Sequence, residues 1–103
     1  MRAAGYPDFM EVGAKVRRRA GVLMRPEDDE AFLFDPDSGL LKMLNATGVE
    51  VWALLDGPRA AGDIAAAIAA RYPEADPAAV ARDVDHFLDE LVAAGLADRV
   101  AGG

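Results

Sequence analysis

From Gly21 onward the chain sets short apolar runs between segments of turn chemistry. Gly21-Val22-Leu23-Met24-Arg25 ends at Pro26 and the acidic stretch Glu27-Asp28-Asp29-Glu30. Ala31-Phe32-Leu33-Phe34 follows and ends at Asp35-Pro36-Asp37-Ser38-Gly39. In that second turn proline presets φ early and glycine accepts positive φ at the end, which is hairpin chemistry. Leu40-Leu41-Lys42-Met43-Leu44 is the third run. Three runs with such short links predict an antiparallel meander.

The period then becomes helical. Asn45 or Thr47 can cap a first helix, and Thr47 with Glu50 three residues on fits a capping box. Val51, Trp52, Leu54 and Leu55 give it an apolar face, and Gly57-Pro58 stops it. A second helix is predicted over about Ala60 to Tyr72, with Ile64, Ile68 and Tyr72 at four-residue spacing and Pro73 at its end. In the third, Asp76 is the N-cap and Pro77 the first helical residue. Val80, Val84, Phe87, Leu88 and Leu91 form its core stripe, and Gly95 closes it. Leu96 is expected to pack back on the core. The order β-β-β-α-α-α is an α+β, winged-helix-turn-helix-like domain over residues 18–99. Residues 1–17 read as an N-terminal arm, ordered at most near Phe9 and Met10, and residues 100–103 as a frayed tail.

Composition narrows the function. The chain has 103 residues, enough for one modest core. Its net charge is −7, which disfavours nucleic acid and anionic membranes as partners. The charge is uneven, with residues 1–25 basic and the remainder strongly acidic. Lys15 and Arg17-Arg18-Arg19 can dock an acidic partner, neutralise the domain's own acidic body, or be simply solvated. No cysteine is present, so disulfide and thiolate-metal chemistry are excluded. The first residues lack the apolar core of a secretory signal, and no apolar run reaches membrane-spanning length. The expectation is a soluble, cytoplasmic protein.

Catalytic chemistry finds little to stand on. The single histidine, His86, lies among Asp85 and Asp89 on a helix and supplies too few ligands for a metal site. Asp28-Asp29-Glu30 and Asp35 to Gly39 lack the twelve-residue calcium spacing and its bidentate glutamate. Gly48, Gly57 and Gly62 mark helix boundaries rather than a phosphate loop. Neither an enzymatic activity nor a cofactor is expected. DNA binding, the usual use of a helix-turn-helix, would set Arg82 alone against Asp83, Asp85, Asp89 and Glu90.

A three-stranded meander has two edges with unpaired backbone groups. The third run has one lysine and no proline, so an extended peptide can add to it as a fourth strand. The arm or a second copy of the chain could cover the same edge.

The chain from about Gly21 to Ala97 resembles the PqqD family, the precursor-peptide recognition elements. The resemblance is carried by Asp35-Pro36-Asp37-Ser38-Gly39, by Leu44-Asn45-Ala46-Thr47-Gly48 and by Val51-Trp52-Ala53-Leu54-Leu55-Asp56-Gly57. Asp83 to Leu91 followed by Gly95-Leu96 completes it. Leu44 to Gly48 is nearer to the lasso-peptide and general members than to the pyrroloquinoline quinone proteins proper.

The resemblance implies a non-catalytic domain that binds a precursor's leader antiparallel to the third strand, in a groove walled by the third helix. It would present the precursor to a modifying enzyme, such as a radical SAM enzyme or a leader peptidase, and act as a monomer or weak dimer. Transferred by position, the peptide pairs with the backbone of Leu40, Leu41, Lys42, Met43 and Leu44. Val80, Val84 and Leu91 are expected in the core. Asp83, His86, Phe87 and Glu90 form the groove shoulder, Arg82 lies further round, and the opposite shoulder of Ala81 and Asp85 is the alternative. The rival functions are a winged-helix DNA-binding protein and a structural subunit that dimerises through its own edge.

Overall fold

Short alternating runs can bury only one face, so the strands here are short and lean on the helices. The computed structural model of the chain describes residues 15–100. In order, the elements are β1 (Lys15–Arg18), β2 (Leu23–Glu27), β3 (Glu30–Phe34), β4 (Leu41–Leu44), α1 (Ala46–Leu54), α2 (Ala61–Arg71), α3 (Pro77–Ala93) and β5 (Ala97–Val100). β2, β3 and β4 form an antiparallel sheet with β3 in the middle. The three-strand, three-helix expectation therefore holds, with small shifts of boundary. The first strand begins two residues later and carries Pro26 within it, and the third begins at Leu41.

The turns follow from their side chains. Asp28 takes the left-handed region (φ 59) in the tight link between β2 and β3, a conformation aspartate tolerates. Between β3 and β4 the buried Asp35 carboxylate accepts from the Asp37 N–H and the Ser38 hydroxyl, both at 3.0 Å. Gly39 closes this turn with φ 79 and donates its N–H to the Asp35 carbonyl at 2.7 Å. The Asp37 N–H holds the Asp35 carboxyl below the ordinary carboxylate value, and Ser38 and the charge of Arg19 act the same way against the opposing effect of burial.

One helix start differs from the capping-box reading. Asn45, not Thr47, is the N-cap of α1, accepting the Gly48 N–H on its side chain at 2.8 Å. Glu50, freed from the cap, is engaged elsewhere. α3 starts as expected, with Asp76 capping Ala78 and Pro77 at the first helical position. It ends in a Schellman motif, with Gly95 (φ 77) donating to Val92 and Leu96 to Leu91. That turn drives Leu96 into the core, where it is fully buried.

The core joins Leu33 and Leu44 of the sheet to Val51 and Trp52 of α1 and Leu55 at its C-cap, Ile64 and Ile68 of α2, and Val84, Leu88 and Leu91 of α3. Each such side chain contributes roughly 1.5–3 kcal/mol through burial.

A second antiparallel ribbon corrects the reading of both chain ends. Lys15–Arg18 pairs with Ala97–Val100, so the last residues assigned to the arm and the first of the supposed tail are strands. Val16 is buried and also exchanges two backbone hydrogen bonds with Arg59, at 2.8 and 3.0 Å. Arg18 is likewise structural, donating twice to the Trp52 carbonyl (3.0 and 2.7 Å) with its guanidinium 5.0 Å from the indole centroid. An ion pair between Arg99 and Asp89 ties β5 to α3. Phe9 and Met10, and the tail beyond Val100, lie outside the described residues.

Candidate functional site

The two edges of the main sheet differ in what they offer. β2 carries Pro26, which has no N–H, flanked by Arg25 and Glu27, so that edge resists a further strand. β4 reads Leu41-Lys42-Met43-Leu44 without such a block. Among the described residues its only strand partner is β3.

Hydrogen bonding decides which β4 groups face outward. The Asp35 N–H donates to the Leu40 carbonyl at 3.0 Å, so Asp35 and Leu40 oppose each other as a hydrogen-bonded pair. Such pairs alternate with non-bonded ones along an antiparallel ladder. In the observed register Leu33/Lys42 and Ala31/Leu44 then exchange bonds, whereas Phe34/Leu41 and Phe32/Met43 do not. The N–H and C=O of Leu41 and Met43 therefore point away from β3, while those of Lys42 and Leu44 serve the existing sheet. Side chains alternate as well. Leu44 is fully buried, whereas Leu41 and Met43 stand 59% and 55% exposed on the outer face, with Leu23 and Phe34 across the same sheet.

On the helix side, Lys42 reaches from β4 to α3, its Nζ 3.2 Å from Glu90 Oε1. The other Glu90 oxygen lies 3.0 Å from His86 Nε2. Beyond Leu44, toward the start of α1, a cavity of about 360 Å³ opens between the three helices. Gly48, Val51, Ile68 and Val84, all buried, floor it, and Val80, Ala75 and Phe87 wall it. Asn45, Thr47 and Asp83 are its exposed polar lining, and Tyr72 completes it. Gly48 lets the helices approach closely here, since a Cβ would meet the Phe87 ring tip and Asn45 Oδ1 at 3.3 Å each, a tight contact that both side chains would have to relieve by a small shift.

The residues singled out in the sequence thus fall into distinct places. Asp83 and Phe87 line the cavity, and Glu90 bridges Lys42 and His86 in a polar cluster. Ala81 and Asp85, the alternative shoulder, line none of it. Val84 and Leu91 are buried as expected, but Val80, though packed against the core, is only half-buried and also lines the cavity. Asn45, Gly48 and Tyr72 belong to the cavity without having been expected there. Gly48 carried a signal: a glycine in the first turn of a helix, where it weakens the helix, calls for a packing reason.

Among the described residues no three His, Cys, Asp or Glu side chains come together to hold a metal ion, and no helix is long and apolar enough to cross a membrane.

Among the described residues an unpaired strand edge thus leads into Asn45 at a cavity walled in part by α3, and known proteins share this fold. The family model for coenzyme PQQ synthesis protein D (PqqD) matches residues 30–97. The chain belongs to the PqqD family.

Three solved structures are similar over about four-fifths of the chain. TbiB1 in complex with the TbiA(beta) leader peptide is 30% identical, with a TM-score of 0.71 over 80% of this chain and 94% of that one. A lasso peptide synthetase B1 complexed with its leader peptide is 28% identical, with a TM-score of 0.67 over 81% and 96%. The PqqD truncation of Methylobacterium extorquens PqqCD, described as a functional and stand-alone recognition element for ribosomally synthesized and post-translationally modified peptides, is 26% identical, with a TM-score of 0.67 over 82% and 88%. No curated protein matches the chain by sequence.

Proposed function

We propose that this domain binds the leader segment of a ribosomally made precursor peptide by strand addition to β4 and presents the precursor to a modifying enzyme, without performing chemistry itself. The observation that carries the reading is the pair of outward-facing backbone sites at Leu41 and Met43, on a strand that runs directly into Asn45 at the cavity. Main-chain pairing supplies sequence-tolerant affinity, and side-chain sites beside it select the sequence. An antiparallel peptide runs opposite to β4, so its N-terminal part reaches the cavity and its C-terminal part passes Lys42 and Glu90.

Leader complexes of the similar TbiB1 and lasso synthetase B1 support the same role here. The enzyme served is of the kind that modifies or cleaves such precursors, a radical SAM enzyme or a leader peptidase, and the setting is cytoplasmic. In this reading the domain is winged-helix-like in form, with α3 as a peptide wall rather than a DNA reader. Its surface acids Asp83, Asp85, Asp89 and Glu90 would repel phosphates.

Two or three buried leader side chains at roughly 1.5–3 kcal/mol each, set against several kcal/mol for ordering the peptide, give an affinity from about micromolar to tens of nanomolar. Titrating the cognate leader into isotope-labelled protein should move the amide signals of residues 41–45 and of α3 near Asp83 to Glu90. Saturable binding that shifts only the β1–β5 ribbon would refute the site.

A further inference from the structure

Tyr72 shares the four-residue spacing of Ile64 and Ile68, yet it does not share their burial. The two isoleucines are 0% and 2% exposed, whereas Tyr72 is 37% exposed. As the C-cap residue of α2, with φ −129 and ψ 71, it leaves the helical stripe, and it lines the cavity together with Phe87 of α3. Its hydroxyl donates to Glu50 Oε2 of α1 at 2.5 Å, while Arg71 Nε lies 2.8 Å from Glu50 Oε1. One carboxylate on α1 thus holds two consecutive side chains from the end of α2.

Given the peptide-binding reading on which this rests, we infer that Tyr72 is a specificity-determining residue that sets which peptide side chain the cavity accepts, with Glu50 as its positioning residue. The ring is fixed at its tip rather than locked in the core. An occupant therefore meets a wall placed by a hydrogen bond from α1.

The floor is apolar, and among the described residues the one charged lining side chain is Asp83, so this lining brings no cation to a carboxylate. The cavity takes an apolar side chain and rejects an acidic one. The hydrogen bond to Glu50 also raises the Tyr72 phenol above the ordinary tyrosine value of 10.0, with burial and the Glu50 charge adding to the effect.

The test uses a displayed library of random peptides about twelve residues long, an ordinary span for a strand with flanks. Wild type should enrich peptides with an apolar residue at one fixed position. Tyr72→Ala should shift the preference at that position alone toward bulkier residues and weaken the best wild-type peptide about tenfold, as loss of an interface anchor does. Tyr72→Leu provides the same reading should the alanine variant loosen the fold. Glu50→Gln should keep the preference, weaken binding about threefold through a less well-placed wall, and lower the Tyr72 phenol titration followed by ultraviolet absorbance. Tyr72→Phe identifies that transition by removing it.

Unchanged preference and affinity in both Tyr72→Ala and Tyr72→Leu would overturn the role of Tyr72 while leaving peptide binding intact. An unmoved phenol titration in Glu50→Gln would overturn the role of Glu50. Failure of wild type to enrich any peptide would overturn the peptide-binding reading itself.

Discussion

Replacing Met43 with proline separates the outer side of β4 from its inner side. The Met43 N–H makes no bond to β3, because Phe32/Met43 is a non-hydrogen-bonded pair in the observed register. Its side chain is 55% exposed, so the substitution also removes little from the core. Proline is tolerated on an edge strand where its missing N–H would face solvent. The fold of Met43→Pro should therefore survive with a modest drop in unfolding midpoint.

An added peptide strand would lose more. Leu41 and Met43 present four outward backbone groups, and at ~0.5–1.5 kcal/mol net for each hydrogen bond the full pairing is worth ~2–6 kcal/mol. Met43→Pro deletes one donor outright, and its ring occupies the space where the peptide carbonyl would sit. Losing that bond and straining its neighbours should weaken leader binding at least about tenfold, which corresponds to ~1.4 kcal/mol. Lys42→Pro is the contrasting variant, since the Lys42 N–H serves β3 and its loss should unfold the hairpin. Calorimetric titration with the cognate leader, alongside thermal melts followed by circular dichroism, measures both effects. A folded Met43→Pro protein that binds the leader as tightly as wild type refutes strand addition at β4.

Other substitutions test the scaffold. Gly95→Ala forces a left-handed backbone (φ 77) on an L-residue with no crowding to blame, and should cost about 1 kcal/mol, or some 4–8 °C in a melt of a domain this size. Arg18→Lys removes the forked donation to the Trp52 carbonyl and the guanidinium held over its ring; chemical denaturation should show a loss of about 1–2 kcal/mol. Asp35, held below the ordinary carboxylate value of 3.8, stabilises the fold fully above that value and loses its contribution as pH falls below it. Urea unfolding of Asp35→Asn at pH 3 to 6 should show a flatter fall in stability with acid than wild type.

Much of this architecture was legible because it is written locally. Asp35 to Gly39 specifies its turn through its own carboxylate, hydroxyl and positive-φ glycine, whatever surrounds it. Asp76-Pro77 and Gly95-Leu96 likewise mark the two ends of α3 through backbone groups within a few residues. The β1–β5 ribbon escaped notice for the opposite reason. Lys15-Val16-Arg17-Arg18 and Ala97-Asp98-Arg99-Val100 are short, charged and some eighty residues apart, so neither carries an apolar period strong enough to announce a strand. Their pairing is decided by the core, which accepts Val16 and Ala97 and leaves the charges outside.

The sequence by itself determined the three main strands, the three helices and an edge without proline, because periodicity, capping and turn chemistry act over a few residues. Only the tertiary structure decided that Leu41 and Met43 face the open side of that edge, since this depends on the hydrogen-bond phase set by Asp35 and Leu40 across the turn. It also decided that Tyr72 leaves the core for the cavity, where Gly48 and Phe87 from two other helices share the lining and Glu50 accepts its hydroxyl. A cavity is a space between elements, and no single segment encodes its shape.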